Sequence, residues 1–160
     1  MKELKNGNCI ILPNIRSSFN VGSIFRTADA VGISKIYLVG YTPCPLDKFE
    51  RPNKEIAKTA LGAEKTIKWE HVDDIFLLLE KLKKDSVQII AIEQAENSVD
   101  YKKVKLKEKN AFLFGSEVGG VSGEILQKCD VVAEIPMLGE KESLNVSVSA
   151  GVAMFRIVGV

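Results

Sequence analysis

Three segments rich in Gly, Asn and Ser hold most of the polar side chains of this sequence that could do chemistry. They are NIRSSFNVG (14–22) with the nearby Arg26, GSEVGG (115–120), and PMLG (136–139) with the following Ser143, Leu144 and Asn145. Each segment follows a short apolar run, which is typical of a buried strand. In open α/β sheets ligands bind beyond the carboxyl ends of the strands, so these segments predict a ligand site at one sheet edge.

Arg26 is the most informative single residue of the first segment. In a helix with about 100° per residue, it lies opposite the apolar stripe that contains Val21 and Phe25. Its side chain is therefore expected to project away from the core, either toward the loops and a partner or simply into solvent. Ser143 and Asn145 have a similar ambiguity, because both residue types are also common helix caps.

The common nucleotide-binding motifs are absent. The chain contains no GxxxxGK[ST] P-loop and no GxGxxG after an early strand. The spacing G-x-E-x-x-G from Gly115 to Gly120 is by itself also typical of a tight strand-to-helix turn with a capping carboxylate. Spacing alone therefore leaves the ligand open.

The composition is that of one soluble globular domain. The 160 residues are 46% hydrophobic, and 22 basic against 21 acidic residues give a net charge of +1. This balance excludes a strongly basic nucleic-acid coat but allows a local basic patch. Cys9, Cys44 and Cys129 are too scattered for a zinc cluster or a disulfide framework, so we expect no metal and a reducing cytoplasm. Neither a signal peptide nor an apolar run of the ~20 residues of a membrane helix is present.

Strand-sized apolar runs alternate with helical patterns along the chain. Strands are predicted at 9–12, 35–39, 66–69, 87–92, 111–114 and 131–135. Helices are predicted at 20–31, 53–61, 73–84, 122–128 and from Asn145 to near the end. Residues 97–109 are lysine-rich and predicted to be an exposed loop. The alternation predicts an α/β domain with a mainly parallel sheet flanked by helices.

Taken in order, the three segments resemble the motifs of the SpoU/TrmH family of RNA 2′-O-ribose methyltransferases, in the trefoil-knotted SPOUT superfamily. The matching stretches are NIRSSFNVGSIFRTADAVG, FGSEVGGVS and IPMLGEKESLNVSVSAGVAMF, with KTALGAEKTIKWEH between them. Many members of the family carry an additional RNA-binding domain, but the resemblance spans nearly the whole chain, so we expect one methyltransferase domain over residues 1–160 and no separate RNA-binding domain. It also implies a C-terminal trefoil knot, which general threading rules would not predict.

The resemblance further implies S-adenosylmethionine as the cofactor and assigns roles to residues. The cofactor would contact Ile92, Gly115, Ile135, Met137, Ser143 and Leu144. The catalytic set would be Arg26, Asn20, Glu117, Ser143 and Asn145. Because an arginine side chain stays protonated well above neutral pH, Arg26 is a poor base. Holding an RNA phosphate and stabilising the nascent alkoxide is a physically easier role.

The partners implied are RNA, with transfer RNA expected before ribosomal RNA, and a second copy of the chain that completes the active site. The last helix carries Val148, Val152 and Phe155 on one face and further apolar residues around the side, so it is expected to be buried on two sides. A helix central to its own domain would show the same pattern. Two lysine-rich stretches could contact RNA or be solvated surface: Lys48, Arg51, Lys54 and Lys58, and Lys102 to Lys109.

Two other functions remain open at this point. One is a non-catalytic RNA-binding or ribosome-assembly module of the same fold. The other is a SPOUT enzyme that methylates a base nitrogen, a reaction that usually employs a carboxylate base. The motif around Arg26 favours ribose as the acceptor.

Overall fold

The computed structural model describes residues 7–160 and is built around one seven-stranded sheet. The strands are β1 (Gly7–Pro13), β2 (Lys35–Val39), β3 (Lys68–Val72), β4 (Gln88–Ile92), β5 (Val99–Asp100), β6 (Lys109–Phe114) and β7 (Val131–Glu134). Their order across the sheet is β3-β2-β1-β6-β4-β7-β5, and every pairing is parallel. The prediction of an α/β fold with a mainly parallel sheet is confirmed.

Helices cover both faces of the sheet. They are α1 (Ser18–Val31), α2 (Lys54–Ala60), α3 (Ala63–Thr66), α4 (Ile75–Lys84), α5 (Gly123–Lys128) and α6 (Val146–Val158). Ile10 of β1 belongs to one hydrophobic cluster with Phe25 of α1 and Met154 of α6. The next residue, Ile11, points to the other face and belongs to a second cluster with Leu79 of α4. Because central parallel strands are buried on both faces, their apolar runs are nearly continuous in the sequence.

Helix α1 follows β1 directly, so it starts at the carboxyl edge of the sheet. Its first turn is capped by the Ser17 side chain, which accepts a hydrogen bond from the Asn20 backbone N–H at 3.2 Å. It ends at Gly32, whose φ of 80° is the left-handed conformation that glycine adopts without strain. The apolar stripe of α1 is buried while Arg26 is exposed, as the helical pattern predicts.

Two predicted segments were partly wrong. The stretch 97–109, predicted to be an exposed loop, contains β5, which pairs with β7, and a 3-10 turn at Tyr101–Lys103. Tyr101, Val104 and Leu106 pack against the core. Because lysines stand between these apolar residues, the sequence showed no continuous apolar run. The strand predicted at 66–69 begins only at Lys68, because α3 occupies the preceding residues. Within residues 7–160, no helix combines the length and hydropathy needed to cross a membrane.

Candidate functional site

The carboxylate of Glu117 joins the second polar segment to the first. Its Oε2 accepts a hydrogen bond from the Arg16 backbone N–H at 3.2 Å, and its Oε1 accepts one from the Ser17 backbone N–H at 3.4 Å. The Asn20 side-chain amide also donates to Glu117 Oε1, at 3.1 Å. These backbone N–H groups precede α1, where a helix carries partial positive charge, so an anionic side chain is well placed there.

Asn20 continues this chain of hydrogen bonds to the third polar segment. Its Oδ1 accepts a hydrogen bond from the Asn145 side-chain amide at 3.3 Å. Asn145 in turn caps α6, because its Oδ1 accepts the Ser147 backbone N–H at 2.9 Å and the Ser147 hydroxyl at 2.6 Å. The starts of α1 and α6 and the 115–120 loop are therefore held together by side chains, as predicted for a common sheet edge.

Glu117 is ionised more readily than an ordinary glutamate. Partial burial raises its pKa, but the hydrogen bonds that it accepts from its own amide, from Asn20 and from the two backbone amides before α1 outweigh this effect. The pKa of Glu117 is consequently held below its usual range. The side chain therefore accepts hydrogen bonds as a carboxylate at neutral pH.

A cavity of about 470 Å³ lies beside Glu117, at the carboxyl ends of the neighbouring strands β6, β4 and β7. All six residues that the resemblance assigns to the cofactor line it: Ile92, Gly115, Ile135, Met137, Ser143 and Leu144. Glu117 also lines the cavity, whereas Asn20 and Asn145 stand outside it and reach it through Glu117. The volume lies within the range of about 300–1,000 Å³ that is usual for small-ligand pockets.

One wall of the cavity is a tight hairpin from Gly115 to Gly120. The backbones of Ser116 and Gly120 exchange two hydrogen bonds, at 3.2 and 3.1 Å. A Cβ added to Gly115 would lie 2.5 Å from the carbonyl carbon of Gly120, so no other residue fits there without moving the loop. Gly120 has a φ of 59° and would place a Cβ 2.5 Å from Glu93 Oε2. Gly115 is thus required by close packing and Gly120 by its backbone conformation, whereas a Cβ at Gly119 would make only an ordinary contact with Ser116 Oγ at 3.6 Å.

Glu93 is a cavity residue that the sequence analysis missed. It follows Ile92 at the carboxyl end of β4, and its Oε2 accepts the Val121 backbone N–H at 2.9 Å, which anchors the end of the hairpin. Its neighbour Gln94 donates from Nε2 to the Glu142 carbonyl at 2.6 Å and so holds the third segment against β4. The position of Glu93 directly after the strand predicted at 87–92 was the available signal.

Arg26 lies apart from the cavity within one chain. It stands six residues beyond Asn20, which is about 9 Å farther along the helix axis and away from the carboxyl edge. Its side chain is exposed and makes no hydrogen bond or ion pair with any other residue in 7–160. Hydrogen bonds therefore join three of the five predicted catalytic residues, Asn20, Glu117 and Asn145, while Ser143 lines the same cavity as Glu117 and Arg26 stands apart.

Neither metal nor disulfide chemistry has an obvious location in the part of the chain that the structure describes. No group of three or more His, Cys, Asp or Glu side chains there could hold a metal ion. Cys9, Cys44 and Cys129 are all free thiols, and burial raises the pKa of Cys9 to about 12 and that of Cys129 to about 11. These thiols are accordingly poor nucleophiles at neutral pH.

Comparison with known proteins identifies the family. The model of the SpoU rRNA Methylase family matches residues 7–155, so the chain belongs to that family. It is 33% identical to the 23S rRNA (guanosine-2′-O-)-methyltransferase RlmB of Neisseria meningitidis over 91% of this chain and 55% of that protein. The resemblance drawn from the three motifs is thereby confirmed.

Solved structures agree with this assignment. The TrmH/SpoU tRNA modifying enzyme of A. aeolicus superposes with a TM-score of 0.84 at 28% identity, covering 97% of this chain and 75% of that one. The AdoMet-bound rRNA methyltransferase of Sinorhizobium meliloti superposes with a TM-score of 0.80 at 29% identity, covering 93% of this chain and 54% of that one. The chain spans only 55–59% of the length of three curated relatives that it matches.

Proposed function

We propose that this protein transfers a methyl group from S-adenosylmethionine to a ribose 2′-hydroxyl of RNA. The observation that carries the proposal is that all six predicted cofactor residues line one cavity. At that cavity Glu117 accepts a hydrogen bond from Asn20, which in turn accepts one from Asn145. The similarity to a guanosine-2′-O-methyltransferase and to an AdoMet-bound rRNA methyltransferase supports both the acceptor and the cofactor.

The residues around the cavity fit S-adenosylmethionine. Apolar side chains of Ile92, Ile135 and Leu144 provide surfaces for an adenine ring. Gly115, Gly119 and Gly120 line the cavity and carry no side chain, so peptide groups of this hairpin can donate hydrogen bonds to a ligand and accept them from it. When bound, the cofactor would supply a methyl group activated by attachment to a sulfonium.

Arg26 would act on the acceptor rather than on the cofactor. A guanidinium holds an RNA phosphate with two parallel hydrogen bonds and stabilises negative charge that develops on the attacking oxygen. Glu117, Ser143 and Asn145 would position the ribose, and Asn20 would hold Glu117 and Asn145 in their relative orientation. Such an in-line displacement depends chiefly on positioning of the reacting groups.

We also infer a homodimer in which Arg26 of one subunit serves the cavity of the other. Two features support it: Arg26 is remote from the cavity of its own chain, and α6 exposes an apolar face. Val148 is 49% and Phe155 42% exposed, with Val152 between them on the same face. Helix α1 lies next to this face of α6, because a Cβ added to Gly151 of α6 would lie 3.8 Å from Thr27 Cγ2 of α1. A partner covering this face would therefore also reach Arg26.

We take transfer RNA as the first substrate to test and ribosomal RNA as the second, because the relatives include enzymes of both kinds. The cytoplasm is the compartment we propose, and three free thiols are compatible with it.

The decisive experiment is methyl transfer to RNA followed by nucleoside analysis. Purified protein, methyl-labelled S-adenosylmethionine and either unmodified transfer RNA or ribosomal RNA are incubated, and nuclease digests are analysed by mass spectrometry. A labelled 2′-O-methylnucleoside, lost in Arg26→Ala, supports the proposal. A labelled base would indicate the base-nitrogen alternative. Binding of RNA with no labelled product from either class would indicate the non-catalytic alternative. Either of these last two results contradicts ribose methylation.

A further inference from the structure

The segment between β2 and α2 forms an ordered hairpin with an aromatic ring at its tip. We call residues 45–53 the Phe49 hairpin. Leu46 and Pro52 pair as an antiparallel bridge, and Asn53 donates its backbone N–H to the Pro45 carbonyl at 2.9 Å. Phe49 is 64% exposed although it is fully apolar. Packing within the chain therefore does not explain why a phenylalanine stands there.

Asp47 fixes the conformation of the hairpin. Its Oδ1 accepts the backbone N–H groups of Phe49 at 2.8 Å and Arg51 at 3.0 Å, and its Oδ2 accepts the Arg51 Nε at 2.8 Å. These hydrogen bonds also hold the pKa of Asp47 below its usual range. A single carboxylate thus orders the loop before any partner arrives, which reduces the conformational entropy that binding would cost.

Two cations flank the exposed ring. Lys48 Nζ and Arg51 Cζ each lie 5.0 Å from the centroid of Phe49, within the range of cation–π contact. Asp47 and Glu50 balance the two cations of the hairpin, so net charge alone does not select a partner. Exposed aromatic rings stack unpaired bases, and guanidinium and ammonium groups contact their phosphates. Because the cations lie over the ring, a base that stacks on Phe49 would displace a cation toward the neighbouring phosphates.

The hairpin is connected to the candidate site through the start of α1. Asn53 Nδ2 donates to Ser18 Oγ at 3.0 Å, and the Thr59 hydroxyl of α2 donates to the Phe19 carbonyl at 2.9 Å. Phe19 is itself exposed, and Lys58 Nζ lies 6.0 Å from its ring centroid. A second exposed aromatic ring with a cation over it therefore directly precedes Asn20 in the chain.

We propose that the Phe49 hairpin binds a single-stranded segment of the RNA substrate, with an unpaired base stacked on Phe49 and phosphates held by Lys48 and Arg51. This inference rests on the proposed function, since it takes RNA as the substrate. It assigns substrate binding to a surface outside the cofactor cavity. Phe49 is accordingly a positioning residue for RNA, and not a group that touches the reacting atoms.

The test measures RNA binding in the absence of cofactor, with fluorescein-labelled decauridylate and decaadenylate as probes. We expect Phe49→Leu, which keeps an apolar side chain but removes the ring, to weaken binding about five- to hundredfold. Phe49→Trp should bind at least as tightly as the natural chain, and its added tryptophan emission should be quenched by decaadenylate. Leu77→Ala, at a position of α4 that is 65% exposed, is the matched control and should bind normally.

Lys48→Gln gives an independent measure of the phosphate contact, because it leaves the hydrogen bonds between Asp47 and Arg51 in place. Its affinity should fall less steeply with salt, with the slope of log K against log salt concentration reduced by about one. Binding of Phe49→Leu within twofold of the natural chain, or unquenched emission from Phe49→Trp, would overturn the stacking site even if the enzyme methylates RNA. Phe49-dependent binding without any methyl transfer would instead support this site and contradict the proposed function alone.

Discussion

Asn20 and Glu117, which are 97 positions apart in the chain, orient each other through a side-chain hydrogen bond of 3.1 Å. Because an ionised carboxylate can only accept, the amide of Asn20 must turn its N–H group toward Glu117. Its carbonyl oxygen then faces Asn145, from which it accepts a hydrogen bond. The direction of each bond is thereby fixed, and three separate loops become one assembly.

Glu117→Gln should slow methyl transfer at least tenfold while leaving S-adenosylmethionine affinity nearly unchanged. A neutral amide would lose charge-assisted hydrogen bonds at the start of α1, each worth about 1.5–3 kcal/mol when geometry is good. Turnover is measured on the RNA identified by nucleoside analysis, and cofactor affinity by calorimetry. Glu80→Gln, which removes an exposed carboxylate from α4, is the control for loss of one negative charge. Equal turnover in both variants would contradict the assigned role.

The same carboxylate should make stability depend on pH. The native pKa of Glu117 lies below its unfolded value, so its contribution is present above the unfolded pKa and is lost as the pH falls through the native one. The difference in unfolding free energy between the natural chain and Glu117→Gln should therefore shrink on acidification from neutral pH. Denaturant titrations at several pH values check this, and a difference that grows on acidification would contradict it.

Arg26→Ala should keep cofactor affinity but reduce turnover about ten- to hundredfold, which is the effect of losing one charged hydrogen bond of ~1.5–3 kcal/mol in the transition state. Lys84→Ala, which removes an exposed cation from the end of α4, should leave turnover unchanged. If Arg26 acts across a dimer, mixing Arg26→Ala with a cavity variant such as Gly115→Ala should restore part of the activity. An inactive mixture of two folded variants would argue against sharing between subunits.

Gly115→Ala should weaken S-adenosylmethionine binding at least tenfold. The new methyl group would lie 2.5 Å from the backbone of Gly120, so the hairpin that forms one wall of the cavity would have to shift. Gly119→Ala is the matched control from the same loop, because the nearest atom to its Cβ would be Ser116 Oγ at an ordinary 3.6 Å. Calorimetric titration of the cofactor compares the two, with circular dichroism to verify folding. Similar affinities would mean that the cavity does not hold the cofactor.

The sequence predicted the sheet better than it predicted the site. Buried parallel strands such as β2 are continuous apolar runs, so periodicity located them to within a residue or two. The contact of Asn20 with Glu117 could not be derived from pattern, because it depends on the order β1-β6-β4-β7, which brings distant loops together. Family resemblance supplied the residues, and the fold supplied their geometry. The trefoil knot came only from that resemblance and stays a prediction.

Residues 97–109 show why composition misleads locally. Lysines at alternate positions suggest a solvated loop, but Val104 and Leu106 between them pack against the core. Glu93 was missed for a related reason. A single acidic residue after a strand carries no periodic signal, and its role depends on the left-handed conformation of Gly120 across the cavity.

Gly22→Ala should destabilise the protein. This is the opposite of what helix propensity predicts, because alanine normally stabilises a helix by about 1 kcal/mol relative to glycine. Helices α1 and α2 cross so closely that the added Cβ would lie 2.0 Å from Thr59 Oγ1 and 2.4 Å from the Ile56 carbonyl oxygen. A backbone atom cannot move aside as a flexible side chain can, and overpacking typically costs about 1–3 kcal/mol. For a chain of this size, each kcal/mol corresponds to about 2–4 °C in Tm.

Gly151→Ala is the same substitution in the interior of α6, where the nearest atom to the new Cβ would be Thr27 Cγ2 at 3.8 Å. This methyl group fits, so helix propensity should dominate and the Tm should stay level or rise. Thermal unfolding followed by circular dichroism compares both variants with the natural chain. A Tm for Gly22→Ala equal to or above that of Gly151→Ala would mean that α1 and α2 do not pack this closely. The hydrogen bond from the Thr59 hydroxyl to the Phe19 carbonyl would then also be in doubt, because it requires α2 to lie close to the start of α1.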